Sequence, residues 1–170
     1  MNNKRKIKKL VFLALCLSMA LVLSYVEAII PMNLGVPGAK LGLPNIMTLL
    51  LIYTVGPAEA LAVSLMRIVL SGFLFGNLFA ILYSGAGFLL SFAAMLLLKK
   101  TGIFGMTGVS VVGGIMHNIG QILIAAILTN AGVFAYLPVL IAAGTIAGIL
   151  IGLVGGIFVG RVLGFIKIHL

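Results

Sequence analysis

Residues 110–128 read SVVGGIMHNIGQILIAAIL. The flanks, Ser110–Met116 and Ile122–Leu128, are apolar enough to lie in hydrocarbon, and between them stands His117-Asn118-Ile119-Gly120-Gln121. On a helix, His117 and Gln121 are one turn apart and share a face, with Asn118 beside them. A histidine and two carboxamides are costly in lipid unless they face protein, water or a ligand. Two readings follow: hydrogen bonding between helices, at about 1 kcal/mol per bond, or a polar floor under a bound ligand. What else reaches the same depth decides between them.

Composition makes the whole chain a membrane protein. Of its 170 residues 63% are hydrophobic and only 8% charged, values outside the range of a soluble domain. The net charge of +9 does not point to nucleic acid, because the basic residues cluster at the ends of apolar runs, the positive-inside pattern. Cys16 is the single cysteine, so an intrachain disulfide and a cysteine metal cluster are excluded. Glu27 and Glu59 are the only acidic residues and aspartate is absent. Carboxylate-held Mg²⁺ clusters and paired-carboxylate catalysis are therefore hard to build in this chain alone. A P-loop is also missing, so ATP hydrolysis is not expected of the chain itself, and no cofactor or metal is expected.

Along the chain, Lys4, Arg5, Lys6, Lys8 and Lys9 precede an apolar run from Leu10 to Ile30. That run is longer than the apolar region of a signal peptide, and Val26-Glu27-Ala28 is a poor cleavage site, so it reads as a first spanning helix starting in the cytosol. Residues 31–44, with three prolines and Gly35, Gly38 and Gly42, read as an external loop. Asn45–Val55 is short for a crossing, about 16–20 Å. Gly56-Pro57 turns the chain, Pro57 suits a first helical position, and Glu59 falls in the favourable first turn. A third helix over Ala58–Phe75, a fourth ending near Lys99-Lys100, a fifth over Met106–Asn130, a short link at Ala131–Tyr136 and a sixth from Leu137 to Val162 complete the pattern. The expected architecture is an all-α integral membrane bundle of six transmembrane helices with both termini cytosolic. Its divisions are a basic segment at 1–9, one membrane domain at 10–165 and a tail at 166–170. Such a chain belongs in a cell membrane as a multi-pass protein, with a bacterial plasma membrane the natural setting.

Small residues mark the packing faces. Gly144, Gly148, Gly152, Gly156, Gly160 and Gly164 form a ridge at every fourth position, which lets a second backbone come close. The first helix carries a weaker version, Ala14 with Ser18 and then Ala20, Ser24 and Ala28, suited to internal packing or to docking a partner subunit.

Arg67 and His117 both fall about 14–17 Å from the cytosolic starts of their helices, near the midplane. An intramembrane arginine marks a functional site by default, and Glu27 is the carboxylate on the outer side able to reach it. Lys40, in the loop, and Asn45, opening the second helix, approach from above. Together Lys40, Asn45, Arg67, His117, Asn118, Gln121 and Glu27 predict a chamber for an anionic or strongly polar organic ligand, since guanidinium and ammonium groups pair well with carboxylate and phosphate oxygens. The second histidine, His169, lies in the tail, away from any shared metal site.

The run Pro37-Gly38-Ala39-Lys40-Leu41-Gly42-Leu43 followed by Asn45, then Glu59-Ala60-Leu61 and Arg67, then His117-Asn118 with Gly120-Gln121, resembles the membrane family known as heptaprenyl diphosphate synthase component I, also called the Gx transporter family. That family is in turn similar to the substrate-binding S components of energy-coupling factor vitamin transporters. The second likeness implies a six-helix fold, a loop capping an external pocket, and small residues on the first helix, here Ala14 and Ser18, facing a transmembrane coupling subunit with its ATPases. Ser18 stands where a second alanine would be expected. The family name implies instead a partner prenyl diphosphate synthase. Such synthases hold Mg²⁺ with aspartate-rich motifs that this chain lacks, so the expected role is non-enzymatic: a transport subunit that captures its ligand from outside, or a membrane component beside heptaprenyl diphosphate and menaquinone synthesis.

Overall fold

The computed structural model describes the backbone of residues 3–30 and 42–169, and side chains as far as Gly164. The described residues form α1 (Asn3–Ile29), α2 (Asn45–Thr54), α3 (Pro57–Phe75), α4 (Leu78–Thr101), α5 (Met106–Leu128), a 3-10 turn (Ala131–Tyr136) and α6 (Leu137–His169). Local chemistry explains the boundaries. Gly56 adopts φ +152°, a conformation that disfavours a side chain, and Pro57 follows at the start of α3. The Asn77 side chain accepts the Ala80 N–H at 2.9 Å and so caps α4.

α1, α3, α4, α5 and the stretch 131–164 are long and apolar enough to cross a bilayer, and α2 is shorter. Large apolar side chains such as Phe73, Ile103, Ile127, Ile146 and Ile157 face outward. That surface suits acyl chains and would be a liability in water. Two helices overrun their expected ends. α1 takes in the basic segment from Asn3, and α6 continues through Lys167 to His169, because nothing in either sequence breaks the helix.

α5 is the hub, packed between α4 and α6; α1 lies on α3, and α2 fills the space between α3 and α6. The α5–α6 contact is close because it is made of glycine. A Cβ on Gly144 would come within 2.7 Å of the Gly114 carbonyl oxygen, one on Gly148 within 2.5 Å of Val111 Cα, and one on Gly152 within 2.6 Å of Thr107 Cα. The other end of the ridge is different, since Gly160 and Gly164 face open space. Half of the glycine stripe is thus an internal seam.

The short α2 decides where polar residues meet. Its C-terminal end is tied down by Lys99, whose Nζ donates to the Ile52 carbonyl and stands 4.6 Å from the centre of the Tyr53 ring. Lys9 of α1 pairs with Glu59 of α3 at the same end of the bundle. From that basic end, ten residues of helix carry α2 only about 15 Å, half the thickness of a hydrocarbon core. Asn45 therefore lies near mid-depth. Gly42 and Pro44, expected in an external loop, are buried. The rest of that loop, residues 31–41, lies outside the described residues.

Candidate functional site

The α2–α3 hairpin is locked by a hydrogen bond between Thr48 Oγ1 and Ser64 Oγ, 2.7 Å apart. One turn farther from the hairpin bend, on the same faces, come Asn45 on α2 and Arg67 on α3. Both are buried, at 8% and 5% exposure. The rise from Pro57 to Arg67 and from Met106 to His117 is about 15–17 Å in each case, so the arginine, the asparagine and the histidine share one level.

Gly42 joins these groups. Its N–H donates to Glu27 Oε1 of α1 at 2.5 Å, and Glu27 is the charge that acts on Arg67. Gly42 has φ +81°, and a Cβ there would lie 2.7 Å from Asn45 Nδ2 and 3.5 Å from His117 Cδ2. Glycine is therefore favoured here by backbone conformation, and a Cβ would also push the Asn45 amide aside. His117 is clasped from the other side by Gly87 of α4, where a Cβ would lie 2.9 Å from Nδ1.

Within α5, His117 Nε2 and Gln121 Nε2 are 3.1 Å apart. This contact joins the two side chains one turn apart on the inner face of α5. Asn118 faces a different neighbour: its Nδ2 donates to the Leu140 carbonyl of α6 at 2.6 Å. Asn118 thus serves the α5–α6 seam with one end of its amide.

The cluster contains unspent hydrogen-bonding capacity. Among the described residues, Arg67 Nη2, Asn45 Oδ1 and Asn118 Oδ1 are buried without a hydrogen-bond partner. An unpaired guanidinium nitrogen in a low-dielectric core is costly unless an anion or polar ligand arrives. Glu27, Asn45, Arg67, His117 and Gln121 are brought together, and Asn118 lies at the edge of the group. Lys40 falls outside the described residues.

Two features were not read from sequence. Thr48 and Ser64 carry the bond that sets Asn45 opposite Arg67, and each is three residues from its polar partner on the same helix face, a spacing visible in the sequence. The second is an apolar groove of about 480 Å³ on the flank, walled by α1 and α6 with α2 as its floor; Ser18, Val22, Ile46, Ile151 and Phe158 line it. Ser18 turns its hydroxyl back onto the Ala14 carbonyl at 3.0 Å, leaving the wall without a free donor. The small residues of α1 divide accordingly: Ala20 and Ser24 are buried, while Ala14 and Ser18 face outward beside the groove.

Among the described residues, no group of three or more histidine, cysteine or carboxylate side chains could hold a metal ion. No curated protein and no solved structure matches the chain. The family described as heptaprenyl diphosphate synthase component I matches residues 16–158, most of the length and all of the residues just described around Arg67 and His117, and the chain belongs to that family.

Proposed function

We propose that the protein is a non-enzymatic, membrane-embedded binding subunit that takes an anionic or strongly polar organic ligand into the mid-depth cluster, entering from the outer side, and works with separate partner proteins. The observation that carries this reading is Arg67: buried, level with Asn45, and with Nη2 unspent. Arg67 anchors the anion, His117 and Gln121 orient its polar edge, and Asn45 and Lys40 close the entrance. Gly42, hinged on Glu27, is the inner end of that closure.

The transport form of this reading assigns the outward face of Ala14 and Ser18 to a coupling subunit driven by ATPases. A second form is favoured by the family and by the apolar groove: a membrane component beside a prenyl diphosphate synthase, whose ligand combines an anionic head with a hydrocarbon tail. Both forms require the same polar cluster. The experiment is to purify the full chain, identify co-purifying small molecules by mass spectrometry, and ask which proteins come with it. An anionic metabolite with ATPase subunits supports the transport form; a prenyl diphosphate with a synthase supports the second. A protein that carries no small molecule, and whose Arg67→Ala variant is indistinguishable from it in every ligand screen, sinks both.

A further inference from the structure

Beneath the cluster lies a second cavity, enclosed by α2, α4, α5 and α6, with about 10 Å³ of room. Its walls include Asn45, Ser91, Ser110 and Met95. Two of these present oxygens with no hydrogen-bond partner among the described residues: Asn45 Oδ1 and Ser91 Oγ. Both residues are more than nine-tenths buried, with Asn45 at 8% exposure and Ser91 at 1%. The room exists because Gly113 lacks a side chain: a Cβ there would stand 3.3 Å from Ser91 Oγ and 2.8 Å from Met95 Sδ.

We propose that this cavity is an internal hydration site, holding one water molecule that ties Asn45 of α2 to Ser91 of α4. A single water needs about 10–15 Å³ and two to four polar partners. The volume matches, and the two unspent oxygens, with Ser110 on the same wall, meet the second requirement. The water donates one hydrogen to Asn45 Oδ1, which can only accept, and exchanges a hydrogen bond with the Ser91 hydroxyl, which can do either. A divalent cation does not fit, because Mg²⁺ and Ca²⁺ need six or more oxygens and favour carboxylates, whereas the carboxylates Glu27 and Glu59 are not among the cavity's lining residues.

The bridge gives Asn45 a fixed orientation. Its Nδ2 faces Gly42, where a Cβ would lie 2.7 Å away, and its Oδ1 is held by the water. The half-length helix α2 has its first residue anchored on both sides, toward the loop and toward α4. The bridge forms in the unliganded protein, whatever ligand the cluster above it binds.

The direct test is a crystal structure of the full chain grown from a lipidic mesophase, at a resolution that places ordered water. A peak within hydrogen-bonding distance of both Asn45 Oδ1 and Ser91 Oγ is expected; a cavity without density, or a Ser91 hydroxyl turned onto a helix carbonyl, overturns the proposal. Radiolytic footprinting of the wild-type protein is independent of crystals. Met95, buried but lining the cavity, should be oxidised by radicals born from the trapped water, and a Met95 that stays unmodified counts against the site. In a thermal-unfolding cycle of Asn45→Ala, Ser91→Ala and the double variant, the double variant should lose less than the sum of the single losses, whereas additive losses break the proposed link.

Discussion

Thr48 and Ser64 are hydrogen-bonded at 2.7 Å across the α2–α3 hairpin, and one turn above them Asn45 and Arg67 face the same interior. A short helix and a single hydroxyl pair thereby set the height of a buried guanidinium. Had α2 spanned the bilayer, Asn45 would have reached the outer surface and Gly42 could not lie against His117. The half-length of α2 and the polar cluster at mid-depth are one feature of the fold.

Removing the guanidinium should separate binding from folding. A hydrogen bond to a charged group contributes about 1.5–3 kcal/mol, so Arg67→Ala is expected to weaken ligand binding by roughly ten- to a hundredfold. Arg67→Lys should not restore it, because an ammonium lacks the planar fork of donors. Calorimetric titration with the ligand identified by mass spectrometry reads both. Wild-type affinity in Arg67→Ala would remove the arginine from the site.

The hairpin bond is testable without a ligand. Thr48→Val and Ser64→Ala each break it, and the double variant should cost less than their sum by about 1 kcal/mol, the typical worth of a buried hydrogen bond. Thermal unfolding in one detergent supplies the three numbers. A coupling indistinguishable from zero means that the register is held by the apolar contacts of α2 alone.

Much of this was legible in the sequence because it rests on one-dimensional signals. Gly56-Pro57 and the shortness of Asn45–Val55 marked the α2–α3 hairpin, and the one-turn spacing of His117 and Gln121 put them in contact. What sequence could not supply were pairings that need two helices. Glu59 read as a helix-dipole residue, and its ion pair with Lys9 closes a separation of fifty residues. The glycine stripe on α6 read as one ridge, yet only the part facing α5 meets a backbone. The division of α1, with Ala20 and Ser24 inward and Ala14 and Ser18 outward, likewise depends on where α3 packs.

That division of the glycine ridge predicts opposite outcomes for identical substitutions. Gly148→Ala places a Cβ 2.5 Å from Val111 Cα, a backbone atom that cannot rotate away. Overpacking of this kind costs about 1–3 kcal/mol, and the unfolding midpoint should fall. Gly160→Ala meets open space and gains up to about 1 kcal/mol of helix propensity. Equal effects at the two positions would mean that the ridge packs uniformly, against a partner as well as within the chain.

Orientation in the membrane follows from charge. Lys9 and Lys99 mark one end of the bundle, and the same end carries Lys4, Arg5, Lys6, Lys8, Lys100 and Arg161. Basic residues stay in the cytosol during insertion, so the Ala131–Tyr136 turn and the entrance above Gly42 should face out. Cys16 is buried, and a Cys16→Ala background makes the chain free of thiols. Two reporters then decide the matter, Lys100→Cys and Ala131→Cys, both at exposed positions. An impermeant maleimide applied to whole cells should label the second and reach the first only after permeabilisation. The reverse pattern would open the Arg67 cluster toward the cytosol, and a ligand captured there would have to be a product of the cell rather than a nutrient taken from outside.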